Sequence, residues 1–222
     1  MRRAPFAIAA GAVAAYALPL PAAHVPWLAH RLGIHTTLVM PGPHLTFDDG
    51  PHPQATPQVL EILREHDVKA TFFLIGEQVR RTGPLRDEIE AAGHAIALHG
   101  DTHRPLWRLT PAALRADLDR GEETVRPSCE WHRAPYGAYS LPALNEVVRR
   151  KFNPLLWSRW GKDWRASATP EQIARDVTRN LGERDVLLLH DADDYSDEGS
   201  WRATVAALPA VLDAMASVSS GR

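Results

Sequence analysis

His44–Ile75, HLTFDDGPHPQATPQVLEILREHDVKATFFLI, is the stretch whose reading decides the fold. It opens on a short apolar run, His44–Phe47, leaves it through Asp48-Asp49 and turns at Gly50-Pro51. An amphipathic stretch, Pro57–His66, then leads to a second apolar run, Ala70–Ile75. A strand, a helix and a strand in that order imply parallel pairing. The alternation continues, with apolar runs at Ala95–Leu98, Glu130–Arg133, Pro154–Ser158 and Val186–Leu189. Three amphipathic stretches begin Thr-Pro, at Thr56-Pro57, Thr110-Pro111 and Thr169-Pro170. Threonine caps a helix by accepting from a free backbone N–H, and proline fits the first helical turn because its missing N–H costs nothing there. Roughly six or seven such units can close into a compact α/β barrel, short of an eightfold one. No internal repeat, low-complexity linker or second-domain boundary interrupts the pattern.

The 222 residues are 45% hydrophobic and 23% charged, which excludes a disordered, collagenous or wholly membrane-embedded chain. Basic and acidic residues nearly balance, 25 against 27, and no Lys/Arg-rich run exists. A nucleic-acid partner is therefore not expected. A single cysteine, Cys129, excludes a disulfide framework and any cysteine-built zinc site. A metal site would have to use His, Asp and Glu, and there are 11 histidines.

Arg2-Arg3 precede an uncharged run from Ala4 to Ala23 that ends in small residues. This reads first as a secretory signal peptide, with a mature start near His24. An uncleaved anchor is the rival, since about 20 apolar residues can span a bilayer. A buried N-terminal helix is the third reading. We expect residues 1–40 to be leader and lead-in, and residues 41–222 to be one catalytic-sized domain working outside the cytoplasm. Membrane contact is expected only through an anchor.

The chemistry-bearing residues cluster just past the strands. Asp48-Asp49 follow the first, His99 and His103 the third, Arg133 ends the fourth, and His190-Asp191 follow Val186–Leu189. In a parallel barrel these carboxyl ends share one mouth, so positions far apart in sequence converge. Adjacent carboxylates leaving a strand point different ways, so one can bind a metal while the other faces substrate or water. An Asp-Asp-Gly-Pro surface turn is the plain alternative, but Thr46-Phe47 before it make the stretch more specific. His99-Gly100-Asp101-Thr102-His103 places two imidazoles at i and i+4, which suits zinc or a similar ion. With a strand-end carboxylate they form an Asp-His-His set with an open position. Arg133 can hold a carboxylate bidentately. His190 can give a proton to a leaving amine, or it can be a core histidine bonded to backbone. Among seven tryptophans, one or two near the mouth suit packing on sugar rings. The acidic run Asp191, Asp193, Asp194, Asp197 and Glu198 reads first as a solvated loop, with binding of a cationic product or calcium as the alternative.

In this order, TFDDGP at Thr46–Pro51, HGDTH at His99–His103, RAPYG at Arg133–Gly137, Asp163-Trp164 and LLLHD at Leu187–Asp191 resemble the motifs of the polysaccharide deacetylase family (carbohydrate esterase family 4, the NodB homology domain). The resemblance runs from about His44 to the C-terminus. It implies a distorted (β/α)7 barrel. It also implies that Asp48 is the general base, that Asp49, His99 and His103 hold one divalent ion, and that Arg133 orients Asp48. The Tyr136 N–H would stabilise the oxyanion, and His190 would be the general acid. The implied ion is zinc, with cobalt second. One departure stands out: the family's fourth motif has an aspartate, paired with the histidine, three residues before Asp163, where this chain has Trp160. Asp163 and Asp191 are the acids that can replace it.

The leading expectation is a monomeric, exported hydrolase (extracellular or periplasmic, or anchored facing outward) that removes N-acetyl groups from an acetylated amino-sugar polysaccharide. An O-acetyl esterase acting on a polysaccharide such as xylan is the alternative. A catalytically weak carbohydrate-binding member would need a decayed base or ligand set, whereas Asp48, Asp49, His99, His103 and His190 are all present.

Overall fold

The structure, a computed structural model, describes residues 14–220. Residues 1–13, with much of the expected leader, lie outside the described residues. No helix among those described is long and apolar enough to cross a membrane.

Seven parallel strands form one curled sheet in the order β5-β4-β3-β2-β1-β7-β6. They are β1 (His44–Asp48), β2 (Thr71–Leu74), β3 (Ala95–Leu98), β4 (Trp131–His132), β5 (Asn153–Pro154), β6 (Arg159–Trp160) and β7 (Val186–His190). This is the distorted (β/α)7 barrel implied by the motifs. β1 sits between β2 and β7 and is almost wholly buried, as its apolar composition requires. Its register sets Asp48 beside Phe73 on one side and His190 on the other. The rings of Phe47 and Phe72 stack at 5.1 Å in the core between β1 and β2.

Helices on the outer face return the chain between strands. They are α2 (Ala55–Glu65), α3 (Gly76–Thr82), α4 (Leu85–Ala91), α5 (Pro111–Val125), α6 (Leu141–Arg149), α7 (Pro170–Thr178) and α8 (Trp201–Ser220), after a first short α1 (Pro26–Arg31). Thr110 and Thr169 cap α5 and α7 as expected, accepting from Ala113 N–H and Gln172 N–H. Thr56 does not cap. α2 begins at Ala55, two residues before the expected Pro57, and the Thr56 hydroxyl donates to Asp191 Oδ2 at 2.5 Å.

The apolar run Pro154–Ser158 is not one strand. Short ladders at β5 and β6 flank it, and these two edge strands do not pair with each other. Leu155 N–H bonds His132 O and Ser158 N–H bonds Val186 O, so the run bridges the gap in the barrel instead of extending an edge.

Residues ahead of the domain also dock. A 3-10 turn, Leu20–His24, and α1 lie against the barrel with Ala22 and Ala29 fully buried. His35 pairs with Leu155 in an isolated parallel bridge.

Candidate active site

The carboxyl ends of β1, β3, β4 and β7 meet at one cleft of about 280 Å³, lined by Asp48, Asp49, His99, His103, Tyr136 and His190 among others. Asp48 ends β1, and Asp49 takes a left-handed conformation, φ 76°, before the chain turns away. An aspartate held there stores backbone strain, and such residues cluster at functional sites. Gly50 is required by close approach, because a Cβ would sit 2.4 Å from Asp191 Oδ1. Asp191 is therefore no solvated loop residue. It is fully buried, and burial pushes its carboxyl up to about 7.

Asp49 Oδ1 lies 3.4 Å from His99 Nε2 and 3.3 Å from His103 Nε2. That oxygen is buried and has no hydrogen-bond partner. His99 Nδ1 is 2.7 Å from the Arg133 carbonyl, an acceptor only, so the ring donates there. Its Nε2 lone pair is left facing Asp49, the tautomer a metal ligand needs. The HGDTH segment is a loop, not a helical turn. Asp117 fixes it by accepting from Asp101 N–H at 3.1 Å and from the Thr102 hydroxyl at 2.6 Å. Burial opposes the charge of Asp49, but the closeness of His99, His103 and His190 outweighs it and holds the carboxyl well below the usual range. Burial drives His103 down to about 4 against the pull of Asp49, so it is neutral at pH 7. An ionised carboxylate oxygen without a partner, facing the Nε2 atoms of two imidazoles, fits a divalent cation.

A second group of potential ligands, His52, Asp193 and Asp194, does not fit one. His52 Nδ1 accepts from Gln54 N–H and Ala55 N–H, which puts the proton of the neutral ring on Nε2, the atom facing Asp193 at 3.5 Å.

Arg133 is fully buried and its Nη1 donates to Asp48 Oδ1 at 2.6 Å and to Thr46 Oγ1 at 2.9 Å. The contact is not the bidentate fork expected from sequence. The other nitrogens are committed to the carbonyls of Leu155 and Leu156, each at 2.9 Å. Tyr136 is left-handed, φ 61°, and exposes its ring at the rim beside His103.

His190 has its partner in Asp163. The ring Nδ1 is 2.9 Å from Asp163 Oδ1, and His190 N–H donates to Asp163 Oδ2 at 2.7 Å. Thr204 donates to the same Oδ2. Burial alone would lower the pKa of His190, but the charge and hydrogen bond of Asp163, then Asp49 and Asp48, raise it to about 10. Trp160 does not face the histidine. Its ring packs on Trp164, whose edge meets the His190 ring at 5.7 Å.

Sequence reading missed several lining residues, among them Tyr195 and His24. Tyr195 stacks on His103 at 4.4 Å, and His24 enters the cleft from the N-terminal turn. Neither stands in a motif or at a strand end, so only the fold places them.

The cleft lies at the carboxyl ends of a parallel barrel, and comparison with known proteins gives the class. Residues 42–153 match the family described as polysaccharide deacetylase. The chain is 34% identical over 183 residues to a chitooligosaccharide deacetylase of Azorhizobium caulinodans, covering 78% of this chain and 87% of that protein. The crystal structure of a peptidoglycan N-acetylglucosamine deacetylase in complex with 4-naphthalen-1-yl-N-oxidanyl-benzamide superposes with a TM-score of 0.77 at 26% identity, over 87% of this chain and 90% of that one. A family 4 acetyl xylan esterase from Clostridium thermocellum in complex with a cobalt ion gives 0.69 at 26% identity, over 79% and 83%. The chain belongs to the polysaccharide deacetylase family and is a hydrolase of that family.

Proposed function

We propose that the protein removes N-acetyl groups from an amino-sugar oligomer or polymer of the chitin or peptidoglycan type. The observation that carries this reading is the orphaned Asp49 oxygen between two histidine Nε2 atoms, flanked by an arginine-held carboxylate and an aspartate-held imidazole. Asp49, His99 and His103 would hold one divalent ion, zinc first and cobalt second. When bound, the ion supplies Lewis acidity toward the acetyl carbonyl and toward water.

The remaining chemistry falls to the chain. Asp48 takes the proton from the attacking water, and Arg133 keeps it aimed. The Tyr136 N–H donates to the oxygen that gains charge as the carbonyl is attacked. His190, protonated through Asp163, gives its proton to the departing sugar nitrogen. An amine is a poor leaving group unless protonated, so an amide substrate gives this histidine its purpose. Carbohydrate specificity on the O-acetyl side is the alternative, because an ester needs the same base and metal.

Acetate release measured over chitin oligomers, peptidoglycan and acetylated xylan tests the reading. Release from the first two above the third is expected, and release from xylan alone would replace it with the esterase reading. Export is also proposed, with residues 1–40 as leader and lead-in, residues 41–222 as the catalytic domain, and a monomer as the working unit. Mass spectrometry of the native protein separates cleavage near His24 from an intact anchor in membranes.

A further inference from the structure

The N-terminal segment is not merely a lead-in. Ala22 is fully buried on the barrel, and the methyl of Ala23 faces Gly137, where an added Cβ would lie 3.3 Å from it. The turn thereby delivers His24 to the rim of the cleft. The His24 ring meets Trp160 at 5.5 Å with a 52° tilt. Trp160 in turn meets Trp157 at 5.8 Å and Trp164 at 5.4 Å, and Trp164 meets His190. A continuous row of rings therefore runs from His24 to the imidazole beside the reacting centre. All of these rings line the same cavity.

This wall is held firmly. β6 ties Trp160 to Leu188 of β7, and the neighbouring Arg159 donates to Asp185 at 2.9 Å and to the carbonyls of Arg179 and Asn180. His24 is exposed, and its ring nitrogens have no hydrogen-bond partner among the described residues. A rigid indole face beside a ring with unspent donor and acceptor capacity is how a protein grips a pyranose, through C–H contact on one side and hydroxyl bonding on the other.

We propose that His24 and Trp160 form a sugar subsite that binds the pyranose adjoining the acetylated residue. The subsite rests on the amino-sugar reading above and on the uncleaved, anchored form of the chain, which keeps Leu20–His24: the substrate is an oligomer gripped beyond the reacting unit. Position 160 is thereby given to substrate binding, while Asp163 serves His190. The N-terminal turn supplies the second half of the subsite.

The test uses the full chain and tetra-N-acetylchitotetraose, with binding followed by tryptophan fluorescence and turnover by acetate release. His24→Ala and Trp160→Ala should each raise the dissociation constant and KM for the tetramer about ten-fold, the scale of one lost ring contact. Their kcat should stay within about two-fold of wild type. Trp160→Phe should recover most of the affinity, which a merely structural defect at β6 would not predict. Hydrolysis of 4-nitrophenyl acetate, which has no neighbouring pyranose to bind, should be unchanged. Tetramer affinity equal to wild type in both alanine variants overturns the subsite and leaves the function reading intact. So does a loss on the small ester as large as on the tetramer. Wild-type protein that deacetylates neither the tetramer nor peptidoglycan overturns both.

Discussion

Arg133 donates to Asp48 Oδ1 at 2.6 Å with both side chains sealed from solvent, and the same guanidinium holds the carbonyls of Leu155 and Leu156. One residue therefore aims the carboxylate and fastens the run that spans the open edge of the barrel. Its carbon stands 4.0 Å above the Phe73 ring, which fills the remaining face. Arg133→Lys keeps the charge but cannot reach four acceptors from one ammonium. Turnover should fall by roughly ten-fold or more, with a loss of stability on the order of 2 kcal/mol. Steady-state kinetics and urea unfolding check the two effects. Wild-type values for both would mean that the guanidinium contributes no more than its charge.

The two carboxylates at the end of β1 should separate cleanly. Asp48→Asn is expected to keep the divalent ion and lose about 10²-fold in turnover, the usual scale for a general base. Asp49→Asn should lose the ion, since it removes the one anionic oxygen facing both His99 and His103. Metal analysis of the two variants decides. Metal lost from the first and kept by the second would reverse the assignment.

Asp163 controls the alkaline limb of the rate profile. Its carboxylate raises the pKa of His190 to about 10, and a general acid works only while protonated. Asp163→Asn removes the charge, lowers that pKa and should bring the limb down by about one pH unit or more, with a fall in kcat. Trp160→Asp should leave the limb in place, because position 160 does not face the histidine. A profile unmoved in Asp163→Asn would break the link between this aspartate and proton donation.

Acid should weaken the fold well above the carboxylate range. Burial, aided by Arg133, lowers His44 to about 4, and burial, aided by Lys69, lowers His94 to about 4. Each folded pKa lies below the unfolded value near 6.5, so the unfolded chain binds more protons between those limits. Their contribution is intact above pH 6.5 and is lost as pH falls toward 4, on the order of 2 kcal/mol for each histidine. In His94→Gln, an amide oxygen can still accept from Ala70 N–H, as His94 Nδ1 does at 3.2 Å. Urea unfolding at pH 7 and pH 5 should show a smaller difference in this variant than in wild type. An equal difference would remove His94 from the account.

Much of the site was legible because parallel strands end at one mouth, so Asp48, Asp49, His99, His103, Arg133 and His190 could be gathered from strand ends alone. The Thr-Pro signal worked where the hydroxyl was free to cap, at Thr110 and Thr169. It failed at Thr56, whose hydroxyl is claimed by the buried Asp191, a tertiary demand that local pattern does not carry. The run Pro154–Ser158 has strand composition, yet its carbonyls serve Arg133 in place of a ladder. His24 and Tyr195 carried no signal, since only docking of their loops brings them to the cleft.

The central claim is that a divalent ion on Asp49, His99 and His103 enables hydrolysis of an N-acetyl amino sugar. Acetate release from tetra-N-acetylchitotetraose, measured with metal content before chelation, after it and after zinc is restored, tests this most directly. The account predicts stoichiometric metal in the active protein, loss of acetate release with the ion and recovery on its return. Undiminished acetate release from protein that holds no divalent ion would contradict it.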